Sequence, residues 1–199
     1  MLKRITLNAV VCLFLATNAF AGATDDVKSV VDSVVRIVSD KSMKTNDSKR
    51  RQALKMTISV IFDYNEMAKR SMGKHWNQRT PEEQKQFTDL FATLLENSYS
   101  SKIESYNNEK IVYLKENIDG EYAEVKSKVI TAKRDEFTVD YRLLNKNGKW
   151  MVYDVVIEGV SLVSNYRTQF NKIILADGYA GLVKKLKTKS DELKISTSK

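Results

Sequence analysis

The chain has 199 residues, a formal net charge of +8, one cysteine, one histidine, one proline and seven glycines. A single cysteine excludes an intramolecular disulfide, and a single histidine argues against zinc sites built from cysteine and histidine. With 42% hydrophobic and 29% charged residues, the composition is typical of one folded domain and excludes both a disordered chain and a polytopic membrane protein.

The first 21 residues have the pattern of a bacterial export signal. Lys3 and Arg4 form a short basic start, and an uncharged, mostly apolar stretch follows over residues 5–20. This stretch is shorter than the ~20 residues needed to span a bilayer. We predict a signal peptide over residues 1–21, cleavage after Ala21 and a periplasmic protein; an uncleaved anchor is the alternative. Cleavage lowers the net charge from +8 to +6 and removes the only cysteine.

Helical periodicity marks the first half of the mature chain, over residues 24–106. Valines recur at three- and four-residue spacing over residues 24–39, and apolar residues resume that period over residues 48–61. Asp63, with Glu66 three residues later, predicts a capping box at the start of a further, short helix.

The only proline predicts the start of the longest helix in this region. Thr80 precedes Pro81, and Glu83 completes the sequence pattern of a capping box. Apolar residues with helical spacing then continue to about Tyr106, which gives this helix one broad apolar face.

The period changes from helical to alternating over residues 110–158. Asp119-Gly120 and Asn147-Gly148 are signals for tight turns between strands. We therefore predict an antiparallel sheet of about four strands with one apolar face. The residues predicted to point inward from this sheet are Val125, Val129, Val139, Tyr141, Leu143, Trp150 and Val152.

Helical spacing returns over residues 161–188, where Ser161 is a candidate cap. Residues 189–199 are predicted to form a basic tail. The order of helices, a strand meander and further helices is typical of the α+β class. We predict a single domain over residues 22–190.

Signatures of catalysis are scarce. His75 is the only imidazole, and the dispersed glycines form no phosphate-binding loop. Residues 159–163 resemble the serine elbow of hydrolases only superficially, because Val163 stands where a second glycine is needed. We predict that the protein is not an enzyme; an exported hydrolase that uses His75 or a carboxylate pair is the alternative. Nucleic acid is not an expected partner, since no basic stripe with interleaved aromatic residues occurs.

Several segments resemble one family of bacterial proteins. Residues 150–170, with the sequence WMVYDVVIEGVSLVSNYRTQF, resemble the signature segment of the MlaC family of periplasmic phospholipid-binding proteins, also called the toluene-tolerance family. Residues 62–76 resemble the first motif of that family, and residues 80–87 resemble the entry to its long helix. The resemblance covers essentially the whole mature chain.

The resemblance implies a fold, a ligand and partners. The fold would be a sheet of the nuclear-transport-factor-2-like type with N- and C-terminal helices that form a helical subdomain, and with an apolar cavity between sheet and helices. The ligand would be a phospholipid, without a cofactor or metal. The protein would shuttle lipid between an outer-membrane lipoprotein–porin complex and an inner-membrane ABC transporter complex with its substrate-binding ring, which maintains the lipid asymmetry of the outer membrane.

The inward sheet residues named above are the candidates for contact with acyl chains. The helices add Tyr64, Met67, Phe91, Leu94, Tyr166 and Phe170. An ordinary core is an equally good interpretation of each residue, because core-facing and cavity-facing side chains share one period. Arg167 has two interpretations, as a contact of the phosphate head group or as a partner of Asp154 or Glu158 in a structural ion pair.

A protein of a different class has the same apolar pattern. An envelope assembly or interaction protein without carrier activity would use its apolar groove to bind polypeptide. Bound phospholipid as opposed to bound polypeptide distinguishes the two functions.

Overall fold

The computed structural model describes residues 22–43 and 45–196, so the predicted signal peptide lies outside the described part of the chain. The helices of this part are α1 (Ala23–Ser39), α2 (Asp47–Ser59), α3 (Tyr64–Met72), a 3₁₀ helix (Gly73–Gln78), α4 (Pro81–Glu104) and α5 (Leu162–Ser196). The strands are β1 (Lys110–Asp119), β2 (Tyr122–Ile130), β3 (Glu136–Lys146), β4 (Lys149–Ile157) and β5 (Val160–Ser161).

The strands form one antiparallel meander in the order β1-β2-β3-β4-β5. Asn147 and Gly148 connect β3 to β4 with φ angles of 55° and 84°, a conformation that these two residue types tolerate and that suits a tight hairpin. Four of the strands are the predicted ones, and β5 is a two-residue addition that pairs with the end of β4. The predicted α+β class and antiparallel sheet are therefore confirmed.

Strand register places the predicted apolar residues on one face of the sheet. Val125 lies opposite Tyr141, and Ala123 lies opposite Leu143. Alternate residues of a strand point to the same face, so the two pairs face the same side. This face is the one that the helices cover.

The predicted helix caps are present, with one correction. Thr80 and Glu83 form the reciprocal capping box at the start of α4. Asp63 accepts a hydrogen bond from the backbone nitrogen of Glu66 at the start of α3. The box predicted at α3 is not completed, because the carboxylate of Glu66 pairs with Arg70 at 2.7 Å instead.

The last helix is longer than predicted. We expected the helical region to end at residue 188, but α5 continues to Ser196. Gly178, with φ 68° and ψ −179°, interrupts the helical backbone of α5 and kinks it. No glycine or proline follows Gly181, so the sequence contains no strong stop signal for the second part of the helix.

Aromatic side chains hold α4 against α5. The ring of Phe170 lies edge-on to Phe87 at 5.5 Å and to Phe91 at 5.4 Å. Tyr166 stacks on Phe170 at 5.4 Å. Such pairs contribute ~0.5–1.5 kcal/mol each beyond the burial of their area. Met67 of α3 belongs to the same cluster, so α3, α4 and α5 share one tightly packed core.

Helix α1 is fixed to the sheet at its first turns. Ala23 and Val27 are buried in a second core with residues of the sheet. The backbone nitrogen of Thr24 donates to the carboxylate of Glu116 at 2.6 Å. The carboxylate of Asp26 accepts from the backbone nitrogen of Trp150 at 3.2 Å. These contacts determine where α1 starts relative to the sheet.

A buried carboxylate joins β4 to the start of α5. Asp154 is 3% exposed and accepts hydrogen bonds from the hydroxyl of Ser161 at 2.6 Å and the backbone nitrogen of Val163 at 3.0 Å. Arg142 donates to the same carboxylate at 3.2 Å. The hydroxyl of Ser161 also accepts from the backbone nitrogen of Ser164, so Ser161 caps the helix. Asp154 therefore sets the angle at which α5 leaves the sheet.

We predict that Asp154→Ala lowers the free energy of unfolding by about 2 kcal/mol or more, because it leaves a buried backbone donor and a hydroxyl without their acceptor. Denaturant unfolding of the mature protein measures this change. Asp89→Ala is the matched control, since it removes only the exposed pair between Asp89 and Lys85, which contributes less than ~1 kcal/mol. Equal unfolding midpoints for the two variants would show that the Asp154 contacts are dispensable.

Candidate functional site

A cavity of about 880 Å³ lies between the apolar face of the sheet and helices α1, α2 and α4. One wall consists of α1 valines, namely Val27, Val30, Val31, Val34, Val35 and Val38. The opposite wall consists of sheet residues, namely Ile111, Val129, Phe137, Val139, Tyr141, Val152, Val155 and Ile157. A volume of this size is in the range of ligand sites.

The cavity lies beyond the first turns of α1, where the helix packs on the sheet. Val27 and Val38 are 2% and 5% exposed. Val31, Val34 and Val35 between them are only partly buried, although they face apolar residues. Close-packed protein cores contain few voids larger than a water molecule. These valines therefore line a space that protein side chains do not fill.

The segment before α3 brings two helical residues to this space. The backbone of Val152 donates to the carbonyl of Ile61 at 2.7 Å and accepts from the nitrogen of Asp63 at 2.9 Å. This short parallel bridge attaches the segment to β4. It places Tyr64 and Met67, in the first turn of α3, at the cavity wall.

The wall formed by α2 and α4 differs from the others, because it combines charged and polar residues with apolar ones. Arg51 and Lys55 of α2 and Glu96 and Lys102 of α4 line the cavity here. Lys55 pairs with Glu96 at 3.0 Å, and Arg51 pairs with Glu104 at 3.1 Å. Burial of an unpaired charge is costly, so charged residues in an apolar cavity mark the part that is nearest to solvent.

Tyrosines on the inner walls are kept neutral. Burial raises the pKa of the Tyr141 phenol to about 12, and the nearby carboxylate of Asp140 adds to the rise. Burial also raises the pKa of Tyr64, with a smaller contribution from Glu96. A phenol with a raised pKa is uncharged at physiological pH. The deep part of the cavity therefore carries hydroxyl groups but no charge from these tyrosines.

Several of the predicted acyl-contact residues line the cavity. They are Tyr64, Met67, Val129, Val139, Tyr141 and Val152. Their position agrees with the predicted role, and their contact with lipid stays a prediction.

The other predicted residues lie in the two cores and not in the cavity wall. Phe91, Leu94, Tyr166 and Phe170 pack between the helices. Val125, Leu143 and Trp150 pack beneath the start of α1. These residues recur along the sequence with the same spacing as the cavity residues. They differ in position, because they lie where two elements pack directly against each other.

The valines of α1 and Phe137 line the cavity, although they are not among the acyl-contact residues predicted from the sequence. A signal for α1 was present, since its apolar face is made almost entirely of valine. Valine is too short to fill a wide gap between two layers. A helix with such a face and no larger apolar side chain is a candidate cavity wall.

Arg167 does not line the cavity. It lies in a separate polar pocket of about 350 Å³, together with Arg142 and Asp154. No ion pair of Arg167 with Asp154 or Glu158 is found among the described residues. Arg167 donates to the hydroxyl of Ser164 at 3.4 Å, and Asp154 pairs with Arg142. The interpretation of Arg167 as a structural ion-pair partner of these carboxylates was therefore wrong.

His75 is buried, and its Nε2 lies 2.9 Å from Oδ1 of Asn171. Neither pocket has His75 in its lining.

Over residues 22–43 and 45–196, no three side chains of histidine, cysteine, aspartate or glutamate are grouped so that they could hold a metal ion. In the same part of the chain, no helix has the length and hydropathy needed to cross a membrane.

Comparison with known proteins places these features in a family. Residues 28–188 match the family described as MlaC protein. The chain is 29% identical over 159 residues to the toluene tolerance protein ttg2D of Pseudomonas putida, which covers 74% of each protein. It is 23% identical over 198 residues to the intermembrane phospholipid transport system binding protein MlaC of Haemophilus influenzae, with 94% of this chain and 92% of that protein covered.

A solved structure has the same fold. The phospholipid-binding protein from Ralstonia solanacearum, determined in complex with a phospholipid, superposes with a TM-score of 0.80 at 29% sequence identity. The match covers 87% of this chain and 99% of that one. The resemblance indicated by the sequence motifs is confirmed, and the chain belongs to the MlaC family.

Proposed function

We propose that this protein binds a phospholipid in the cavity beneath α1 and transports it. The observation that carries the proposal is an unfilled, valine-rich space of about 880 Å³ in a fold shared with a protein solved in complex with a phospholipid. The relative from Haemophilus influenzae is described as the binding protein of an intermembrane phospholipid transport system. Both comparisons support lipid as the ligand.

The free energy of acyl-chain burial explains why such a cavity is sufficient for transport. Removing one CH₂ group from water is favourable by ~0.8 kcal/mol. A chain of ~15 carbons therefore costs on the order of 12 kcal/mol to expose. A carrier only has to offer a dry apolar space that lowers this cost, and it needs no covalent step. We propose that phospholipid is the ligand, that no cofactor or metal takes part, and that His75 is a structural residue.

In the cell, we place this activity in the periplasm, after cleavage of the predicted signal peptide behind Ala21. The protein would move lipid between an outer-membrane lipoprotein–porin complex and an inner-membrane ABC transporter complex with its substrate-binding ring. The support for this is the basic and apolar pattern of residues 1–21 and the family membership. The consequence would be the maintenance of lipid asymmetry in the outer membrane.

We predict that the mature protein carries phospholipid when it is purified from periplasm without detergent. Solvent extraction followed by mass spectrometry measures the lipid and its ratio to protein, and we expect a ratio near one molecule or more per chain. A preparation that repeatedly contains no phospholipid contradicts the proposal. Co-purified polypeptide in place of lipid would identify the protein as an interaction protein that uses the same groove.

We predict that Val139→Asp abolishes lipid carriage, because it places a charge against the acyl chains. Tyr141→Asp should have the same effect, since both residues line the cavity. Leu175→Asp is the matched control; Leu175 is 69% exposed on α5, so this variant should keep its lipid. The readout is lipid per folded protein, with unfolding midpoints to verify the fold.

The cavity assignment has a second test that introduces no charge. Val139→Trp should reduce the amount of bound lipid by occupying the space that the acyl chains need. A folded Val139→Asp variant with the normal amount of lipid would show that this space is not the binding site.

We predict a loss of stability at alkaline pH that depends on Tyr141. Its pKa is raised to about 12 in the folded protein and is ~10 in an unfolded chain. The unfolded state therefore loses the proton first, so the free energy of unfolding falls as the pH rises from ~10 to ~12. Lipid-free protein should lose on the order of 2 kcal/mol more over this range than Tyr141→Phe does. The measurement is the free energy of unfolding as a function of pH for both proteins. If the two curves run parallel between pH ~10 and ~12, the prediction is contradicted.

A further inference from the structure

The polar residues of the cavity lining are concentrated on two helices, which also contribute apolar residues such as Leu54 and Leu95. Helix α1 and the sheet contribute only apolar residues and Tyr141. Nearly all polar lining residues come from α2 and α4, namely Arg51, Gln52, Lys55, Thr93, Glu96, Asn97, Ser100 and Lys102. The surface where α2 faces α4 is called the α2–α4 seam below. A cavity with this division matches a ligand that has one apolar and one polar end.

The seam has an excess of positive charge. Lys55 pairs with Glu96 at 3.0 Å, and Arg51 pairs with Glu104 at 3.1 Å. Arg50 shares the carboxylate of Glu104 at 3.4 Å. The seam thus brings three cations of α2 against two carboxylates of α4.

Lys102 of α4 adds a fourth cation, and its side chain is exposed beside the cavity. Asp47 also pairs with Arg50, at 2.9 Å, so the arrangement has four cations and three carboxylates. Its net charge of +1 with all three carboxylates ionised favours an anionic group at the mouth of the cavity.

Two buried donors of the seam have no acceptor. The amide nitrogen Nδ2 of Asn97 is buried, lies in a cavity-lining side chain and has no hydrogen-bond partner among the described residues. The Nε of Arg50, which lies in α2 outside the cavity lining, is also buried without a hydrogen-bond partner among the described residues. Buried donors are rarely left unpaired in native structures. A ligand that brings oxygen acceptors to the seam would satisfy the amide of Asn97.

We propose that the α2–α4 seam is the site for the glycerophosphate end of the bound lipid, with Arg51, Lys55 and Asn97 as its contacts. This inference rests on the proposed function and names the chemistry that the polar wall recognises. Lysine and arginine have several donors each, so the phosphate accepts charge-assisted hydrogen bonds from Arg51 and Lys55 beside the carboxylates that these cations already hold. Asn97 donates to an oxygen of the same group. The acyl chains extend from the seam towards the valines of α1.

This assignment replaces Arg167 as the candidate contact of the head group. Arg167 lies in the second pocket, which is lined by residues of α3, the sheet and α5 and shares no residue with the cavity. A lipid with its tails in the cavity and its phosphate at the seam has no contact with that pocket.

The test compares two lipids that have the same tails and glycerol esters but differ in the phosphate. Dioleoyl phosphatidylglycerol and dioleoylglycerol compete with a pyrene-labelled phosphatidylglycerol for the mature protein. The ratio of their affinities reports recognition of the phosphate. We expect the double variant Arg51→Gln/Lys55→Gln to reduce this ratio at least tenfold, because two charge-assisted hydrogen bonds are lost. Asn97→Leu, of similar size, should weaken phosphatidylglycerol about fivefold.

The matched control is Lys85→Gln. It makes the same change of charge on α4, but Lys85 is 77% exposed and lies outside the cavity lining. Its affinity ratio should equal that of the unchanged protein. Lys55→Arg keeps the charge and should also keep the ratio.

A salt titration of the unchanged protein tests the inference without a variant. Between about 0.01 M and about 1 M salt, the Debye length falls from ~30 Å to ~3 Å. We expect the preference for phosphatidylglycerol over dioleoylglycerol to fall at least threefold over this range. A ratio that neither salt nor the double variant changes overturns the seam as the phosphate site, while bound phospholipid still supports carriage. An unchanged protein that binds neither lipid overturns the proposed function itself.

Discussion

The space beneath α1 exists because the helix is fixed to the sheet at its first turns and not along its whole length. Ala23 and Val27 pack on the sheet, and the polar contacts of Thr24 and Asp26 fix that end. Val30 and Val31 still pack against the core at that end, whereas Val34 and Val35 further along only line the space. An empty apolar cavity lowers stability in proportion to its volume. A ligand that fills the space with hydrocarbon therefore stabilises the folded chain, and binding and folding are linked.

The elements that form the cavity walls differ in the free energy needed to displace them. The sheet is held by its hydrogen-bonded ladders, and α4 is held by the aromatic cluster of Phe87, Phe91 and Phe170. In contrast, Leu54 is the one buried residue in α2. Ion pairs that are partly exposed contribute little to stability, and elements with few buried apolar contacts open at the lowest free energy. Helix α2 is therefore the wall whose displacement costs least.

Sequence pattern was sufficient for the sheet, its turns and the caps of α4 and α5, because these depend on local residue types. It was not sufficient to separate core from cavity. Val125 and Val129 lie on one face of β2, yet only Val129 lines the cavity. The difference is how far α1 stands from each residue, which no local pattern encodes. Arg167 shows the same limit, since the partner of Asp154 proved to be Arg142, from a distant strand.

The division of the cavity into a hydrocarbon part and a charged seam bears on how a carrier releases its ligand. On this proposal, the contacts of Arg51, Lys55 and Asn97 hold and orient the phosphate, while each CH₂ group of the acyl chains contributes ~0.8 kcal/mol on burial. Most of the affinity then comes from the acyl chains. A partner that offers the chains another apolar site changes the balance between the two states. On the proposed function, a difference in affinity for the acyl chains between this protein and a partner is sufficient to move the lipid, without a covalent step on this chain.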